Sequence, residues 1–247
     1  MSKLKDLLRE VLITLRLDLT KNLKYDRLTR IIIKKHIKPN YNCIDIGCHK
    51  GEILDIILAC APPAGGGGMH YAFEPIPSLF QHLKRKYGHQ ATILPYALSD
   101  HSGLSTFQLV KNAPAYSGLK IRHYDIANPD IEQIQVEMKT LDELIPPDLN
   151  IHFIKIDVEG GEMGVLKGAK RLLKAHRPLI IFECGKGASD YYGTSPADVY
   201  RFLTADMGLQ IFTLSAFVNE KQTLSIQEFE NCFHKGLEYY YVASPPL

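Results

Sequence analysis

No stretch of the sequence comes near the ~18 uninterrupted apolar residues of a membrane span, and no compact apolar block with a cleavage site stands at its start. The expectation is a soluble, cytoplasmic protein. Net charge is nearly absent as well: 29 Lys and Arg against 27 Asp and Glu leave +2. No overall field therefore makes nucleic acid the default partner. Paired cysteines are missing. The five, at Cys43, Cys48, Cys60, Cys184 and Cys232, are odd in number, hold no C-x-x-C spacing and sit partly inside apolar runs, the usage of a reduced compartment. Also lacking is the G-x-G-x-x-G of a dinucleotide cradle, which counts against a nicotinamide-dependent oxidoreductase.

What is present suits one catalytic-size domain with an appendage: 247 residues, 45% of them hydrophobic. Leu4, Leu7, Leu8, Val11, Leu12 and Leu15 recur at helical spacing between lysines and arginines, and a second amphipathic helix runs from about Asn22 to Ile37. Packing on the chain's own core is the commoner use of such helices; peripheral contact with a membrane surface is the other. Pro39 and Asn40 place a boundary between a helical extension, residues 1–40, and a main domain, residues 41–247.

In the main domain strands and helices alternate: NCIDIG, a helix from Gly51, HYAFEP, a helix from Ser78, TILPYAL, then HFIKIDV, a helix from Glu162, PLIIFECG and a helix from Ser195. The pattern predicts an α/β, Rossmann-like, mostly parallel sheet of about seven strands with helices on both faces. LQIFTLSAF and LEYYYVASP read as closing strands, at least one of them antiparallel, with little helix between. Two segments interrupt the rhythm. Ala61 to Gly68 is a side-chain-poor loop. Residues 101–139 form a long insertion with strand-like flanks and a polar, aromatic centre, expected to border the substrate.

DIGCHKG puts Asp45 near a strand's carboxyl end, with Gly47 and Gly51 in the turn to a helix, the edge where open α/β sheets bind ligands. His49 stands where a pyrophosphate cradle needs its second glycine. The D-x-G-x-x-x-G form instead suits a ligand with an amino-acid end, an acid meeting its cation. Glu74, closing HYAFE, is placed to accept hydrogen bonds from two ribose hydroxyls. Ser99 and Asp100, after the third strand, could meet an adenine amino group. Together these residues describe a pocket for S-adenosylmethionine.

FIKIDVEGGEMGVLKGA resembles the I-K-I-D-V-E-G-x-E-x-x-V-L-x-G-A pattern of FkbM-type methyltransferases, a class I S-adenosylmethionine-dependent family. The likeness extends through DIGCHKG, FEP at 73–75, ALSD at 97–100, TLDEL at 140–144 and RPLIIFE at 177–183, about residues 25 to 185 in order. It implies a seven-stranded methyltransferase fold and methyl transfer, usually to oxygen, on sugars, glycolipids or natural-product scaffolds. Asp157 and Glu159, two residues apart at the end of the fourth core strand, would share one face if the strand continued that far. Asp157 is the first choice as general base or acceptor-orienting acid, with Glu159 as its neighbour or a substrate hydrogen-bond acceptor. Together with Glu183 at the next strand end they could also hold a divalent cation, although no metal ligand is assigned. Tyr116, His123 and Glu183 are candidates for acceptor contact, with Tyr124 beside them. Glu162 reads as an acid at a helix start and Lys155 as a snorkelling edge lysine. A binding module for S-adenosylmethionine or a nucleotide, without catalysis, is the alternative of a different class.

Overall fold

The protein is described from a computed structural model, which covers residues 12–13, 18–63 and 67–246. The first amphipathic helix, apart from residues 12–13, and the middle of the glycine-rich loop lie outside the described residues.

The apolar runs of the main domain become strands buried on both faces. Asn42–Ile46 (β1), His70–Phe73 (β2) and Thr92–Leu94 (β3) lead on one side, with Ile151–Ile156 (β7), Leu179–Glu183 (β8), Gln210–Thr213 (β9) and Tyr240–Ser244 (β10) on the other. The seven-stranded order is β3-β2-β1-β7-β8-β10-β9. All pairs are parallel except those of β10, which is antiparallel to both β8 and β9. Because β2 and β3 lie on one side of β1 and β7 on the other, the loops leaving β1 and β7 diverge, and a crevice opens at their carboxyl ends.

Alternation along each strand divides the core. Ile44, Ile46, Ile154, Ile156, Ile180, Phe182 and Tyr241 point to one face, covered by Glu162–Gly168 (α5), Lys170–His176 (α6) and the later helices. Cys43, Phe153, Ile181 and Val242 point to the other, under Lys21–His36 (α1) and Glu52–Cys60 (α2). α1 begins where the Thr20 side chain accepts the Leu23 N–H. It buries Tyr25, Leu28, Ile32 and Ile33 against that second face, so this helix of the extension packs on the core.

Three segments differ from their expected form. TILPYAL is two strands: Pro95 lacks an N–H, and beyond it Tyr96–Leu98 (β4) leaves the main sheet to pair with Ile131–Lys139 (β6). The expected strand LQIFTLSAF stops at Thr213, whose hydroxyl caps a short helix, Leu214–Val218. Between the last two strands stands a helix after all, Ile226–His234, started by a Ser225–Glu228 capping box. The insertion forms a second sheet, β4-β6-β5, in which Gly103–Val110 (β5) runs antiparallel to β6, and its irregular part, residues 111–130, leans back over the crevice.

Candidate active site

A cavity of about 1050 Å³ occupies the crevice. That is at the upper end of the ~300–1,000 Å³ of single small-molecule sites, so a cofactor and an acceptor have room together. Asp45, Gly47, Glu74, Tyr116, His123, Asp157, Glu159 and Glu183 all line it. Gly51, Ser99 and Asp100 do not. Ser99 lies against α5, close enough that a Cβ on Gly168 would meet its carbonyl oxygen at 2.1 Å, and Asp100 turns to His101 at 2.7 Å. The structure thus sets Ser99, Asp100 and Gly51 apart from the candidates that line the cavity.

At the β1 end, Asp45 is 2% exposed and its Oδ2 has no hydrogen-bond partner among the described residues. Burial pushes its carboxyl up to about 7, against the pull of Lys155. Glu74, also buried, takes the His49 N–H on Oε2 and the Ile76 N–H on Oε1, each at 2.9 Å. Burial raises Glu74 to about 7 as well, with those two N–H groups holding it down. The glycines of the turn have packing reasons. Gly47 has φ +74°, and a Cβ there would sit 1.8 Å from the Asp157 carbonyl oxygen; Gly51, at φ +86°, faces the Tyr87 ring at 2.5 Å.

At the β7 end the strand stops at Ile156, so the face shared by alternation joins Lys155 to Asp157, and Glu159 arrives by a loop. Glu159 is left-handed, with φ 59°. Lys155 is not an edge lysine: it is 5% exposed, donates to Asp157 Oδ2 at 3.0 Å and lies 4.7 Å from the centre of the Tyr240 ring. The Tyr240 hydroxyl donates to the same oxygen, and Glu183 is a further partner of Asp157. Burial alone would raise Asp157, but the Lys155 charge and these hydrogen bonds outweigh it and hold the carboxyl below its ordinary value. Glu183 goes the other way, well up, through burial and the charges of Asp157, Glu159 and Glu162. Of the two acids, Asp157 is thus the one whose charge the site favours. Glu159 is pushed up to about 8 by burial and by Asp157, despite an ion pair with Arg122.

Glu162 is more than a helix-start acid. Its Oε1 accepts the N–H groups of Val158 and Gly160 at 3.0 and 3.2 Å, fixing the loop that carries Glu159.

The profile of the Methyltransferase FkbM domain matches residues 45–211. The chain belongs to the FkbM methyltransferase family. Among solved structures, the FkbM methyltransferase of Methylobacillus flagellatus KT superposes with a TM-score of 0.50 at 17% identity, over 83% of this chain and 44% of that one. This chain thus spans less than half of that protein. An rRNA methylase from Streptococcus thermophilus superposes at 0.46 and 7% identity, covering 90% and 96% of the two chains. Fibrillarin from Aeropyrum pernix, solved with S-adenosyl-L-methionine bound, superposes at 0.44 and 13%, over 88% and 74%. No curated protein matches the chain.

The class I fold of an FkbM methyltransferase implies S-adenosylmethionine, and the residues present fit it. Asp45 offers a buried oxygen without a partner, suited to an ammonium, and each Glu74 oxygen keeps a second lone pair beyond its backbone bond. A divalent cation fits less well. Asp157, Glu159 and Glu183 bring carboxylate oxygens within 4.8 Å of one another, but Lys155 and Arg122 already pair with two of the three.

Sequence reading missed Arg122 and Tyr240 in this member of the FkbM family and set Lys155 aside. Arg122 and Tyr240 carried no local signal, standing 37 residues from Glu159 and 83 from Asp157. Lys155 had one, its two-residue spacing from Asp157 on a strand.

Proposed function

We propose that the chain is an S-adenosylmethionine-dependent methyltransferase that methylates a hydroxyl on a sugar, glycolipid or natural-product acceptor. The observation that carries this reading is the pairing, in one cavity, of the Asp45 and Glu74 end with the Asp157, Glu159 and Glu183 cluster. S-Adenosylmethionine supplies an activated methyl group. Asp45 and Glu74 would hold its amino and ribose ends, and the chain's remaining task is to orient an acceptor hydroxyl and take its proton.

Of the roles open to Asp157, orientation suits it better than proton uptake. Three partners crowd its carboxyl and Lys155 holds it ionised. Glu159, paired with Arg122 rather than with Lys155 and with a carboxyl at about 8, is the better matched base near neutral pH.

The test is a labelled-methyl transfer screen against glycan and lipid extracts. Glu159→Gln is expected to lower turnover about 10²- to 10⁴-fold, the range of general-base removal. Asp157→Asn should lower turnover with cofactor affinity retained; a rate equal to wild type would remove Asp157 from the site. Turnover unchanged by a chelator would remove a metal. A heat shift with S-adenosylmethionine and its demethylated product, but not NAD, is expected, and such binding with no product from any acceptor would favour the binding-module alternative.

A further inference from the structure

We propose that the acceptor carries an oxyanion, a carboxylate, phosphate or sulfate group near the methylated hydroxyl, and that Arg122 binds it in exchange for Glu159. This rests on the methyltransferase reading above and names the acceptor's class.

Arg122 is an unusual resident of the cavity. Its side chain is 8% exposed, its guanidinium lies 5.3 Å from the Tyr116 ring centre and 5.5 Å from that of Tyr124, and its Nη2 pairs with Glu159. Nη1 donates to the His123 carbonyl at a long 3.4 Å. Nε, a guanidinium N–H donor, is buried with no hydrogen-bond partner among the described residues. A guanidinium presents Nε and Nη as a fork that matches the two oxygens of a carboxylate or phosphate. Here one side of the fork is used by Glu159 and the other is empty.

Charge balance points the same way. When the acceptor hydroxyl passes its proton to Glu159, the oxygen takes the methyl, the carbon–sulfur bond breaks and the sulfonium charge is discharged. Glu159 is then neutral, and Arg122 is left as a buried cation without its counter-ion, a costly state. An acceptor that brings its own anion removes that cost before the proton moves. The same exchange would free Glu159 to act. Tyr116 and Tyr124, whose rings lie on the guanidinium within cation–π range, hold it in place while its partner changes. The residues concerned come from the insertion, outside the strands that form the cofactor end, as befits an acceptor-specific device.

The test observes Arg122 directly. The side-chain Nε signal is followed in a ¹H–¹⁵N spectrum, assigned by its loss in Arg122→Lys, while inorganic phosphate, sulfate or acetate is added with chloride as the ionic-strength control. The oxyanions are expected to shift the signal saturably and chloride is not. Glu159→Gln, which removes the competing carboxylate, should bind phosphate about 10- to 100-fold more tightly, the worth of one charge-assisted hydrogen bond. In the labelled-methyl screen the product should be retained on an anion exchanger, and its release by phosphatase, sulfatase or neither tells the three sources apart. A signal unmoved by every oxyanion in both wild type and Glu159→Gln, or a labelled product that is neutral, overturns the proposal. A heat shift with S-adenosylmethionine on the same sample separates the two readings: its loss counts against the methyltransferase itself.

Discussion

Asp45 shows how far burial can carry a single carboxyl. Its ordinary pKa is below 4, and in this cavity it stands at about 7 because little solvent remains to stabilise its charge. The ionised form is the one that meets an ammonium, so cofactor binding must drive a proton off below that value. Affinity for S-adenosylmethionine is therefore expected to rise with pH up to about 7, by at most about tenfold per unit for the one proton released, and to level off above. Asp45→Asn should bind more weakly and with a flatter profile, as calorimetry across that range would show. Glu74 poses a different balance, since its carboxyl also satisfies two backbone N–H groups. Glu74→Ala is expected to weaken cofactor binding about 10- to 100-fold through lost hydrogen bonds, and Glu74→Gln, which keeps one acceptor oxygen, by less. Both Asp45 and Glu74 were legible from their places at strand ends. Their raised pKa values were not, because burial depends on helices that are distant in sequence.

At the scale of elements, the turn between β1 and α2 and the end of β7 are one unit. Gly47 lets the Asp157 carbonyl approach so closely that any side chain would meet it. Gly47→Ala is expected to cost roughly 3–5 kcal/mol from left-handed strain and overpacking together, read as a shift in the urea midpoint, and to displace Asp157. A cost under ~1 kcal/mol would show that the two loops can part. The sequence pattern identified this turn from its glycines but assigned them to the ligand, whereas the structure also gives each a packing partner. The insertion was expected to border the substrate, and Tyr116 and His123 line the cavity. Its most telling residue, Arg122, sits in the irregular stretch where periodicity says nothing.

For the whole molecule, the notable contact is between the helix α1 and the final strand. Tyr25, 3% exposed, meets Tyr239 edge to face at 4.6 Å between centres and Tyr240 at 5.3 Å, and its hydroxyl donates to Glu238. Lys24 adds an ion pair to Glu238 at 2.9 Å. Since Tyr240 in turn donates to Asp157, α1 supports the Asp157 end of the cavity. Tyr25→Ala is expected to destabilise the fold by about 3–5 kcal/mol, as for other buried aromatic truncations. It should also lower turnover more than cofactor affinity, and urea titration with the labelled-methyl assay would separate the two effects.

The sequence by itself determined the layered α/β class, the strand-to-helix turn and the acids at the strand ends. Those features follow from local rules: two-residue alternation, helical spacing and the turn chemistry of glycine and proline. Only the tertiary structure decided which cation meets which acid. Lys155 and Tyr240 on Asp157, and Arg122 on Glu159, arise from strand order and from a loop folding back over the sheet. Electrostatic energies depend on separation in space and on local burial, and apart from Lys155 and Asp157, two residues apart at the end of β7, neither can be read from position along the chain.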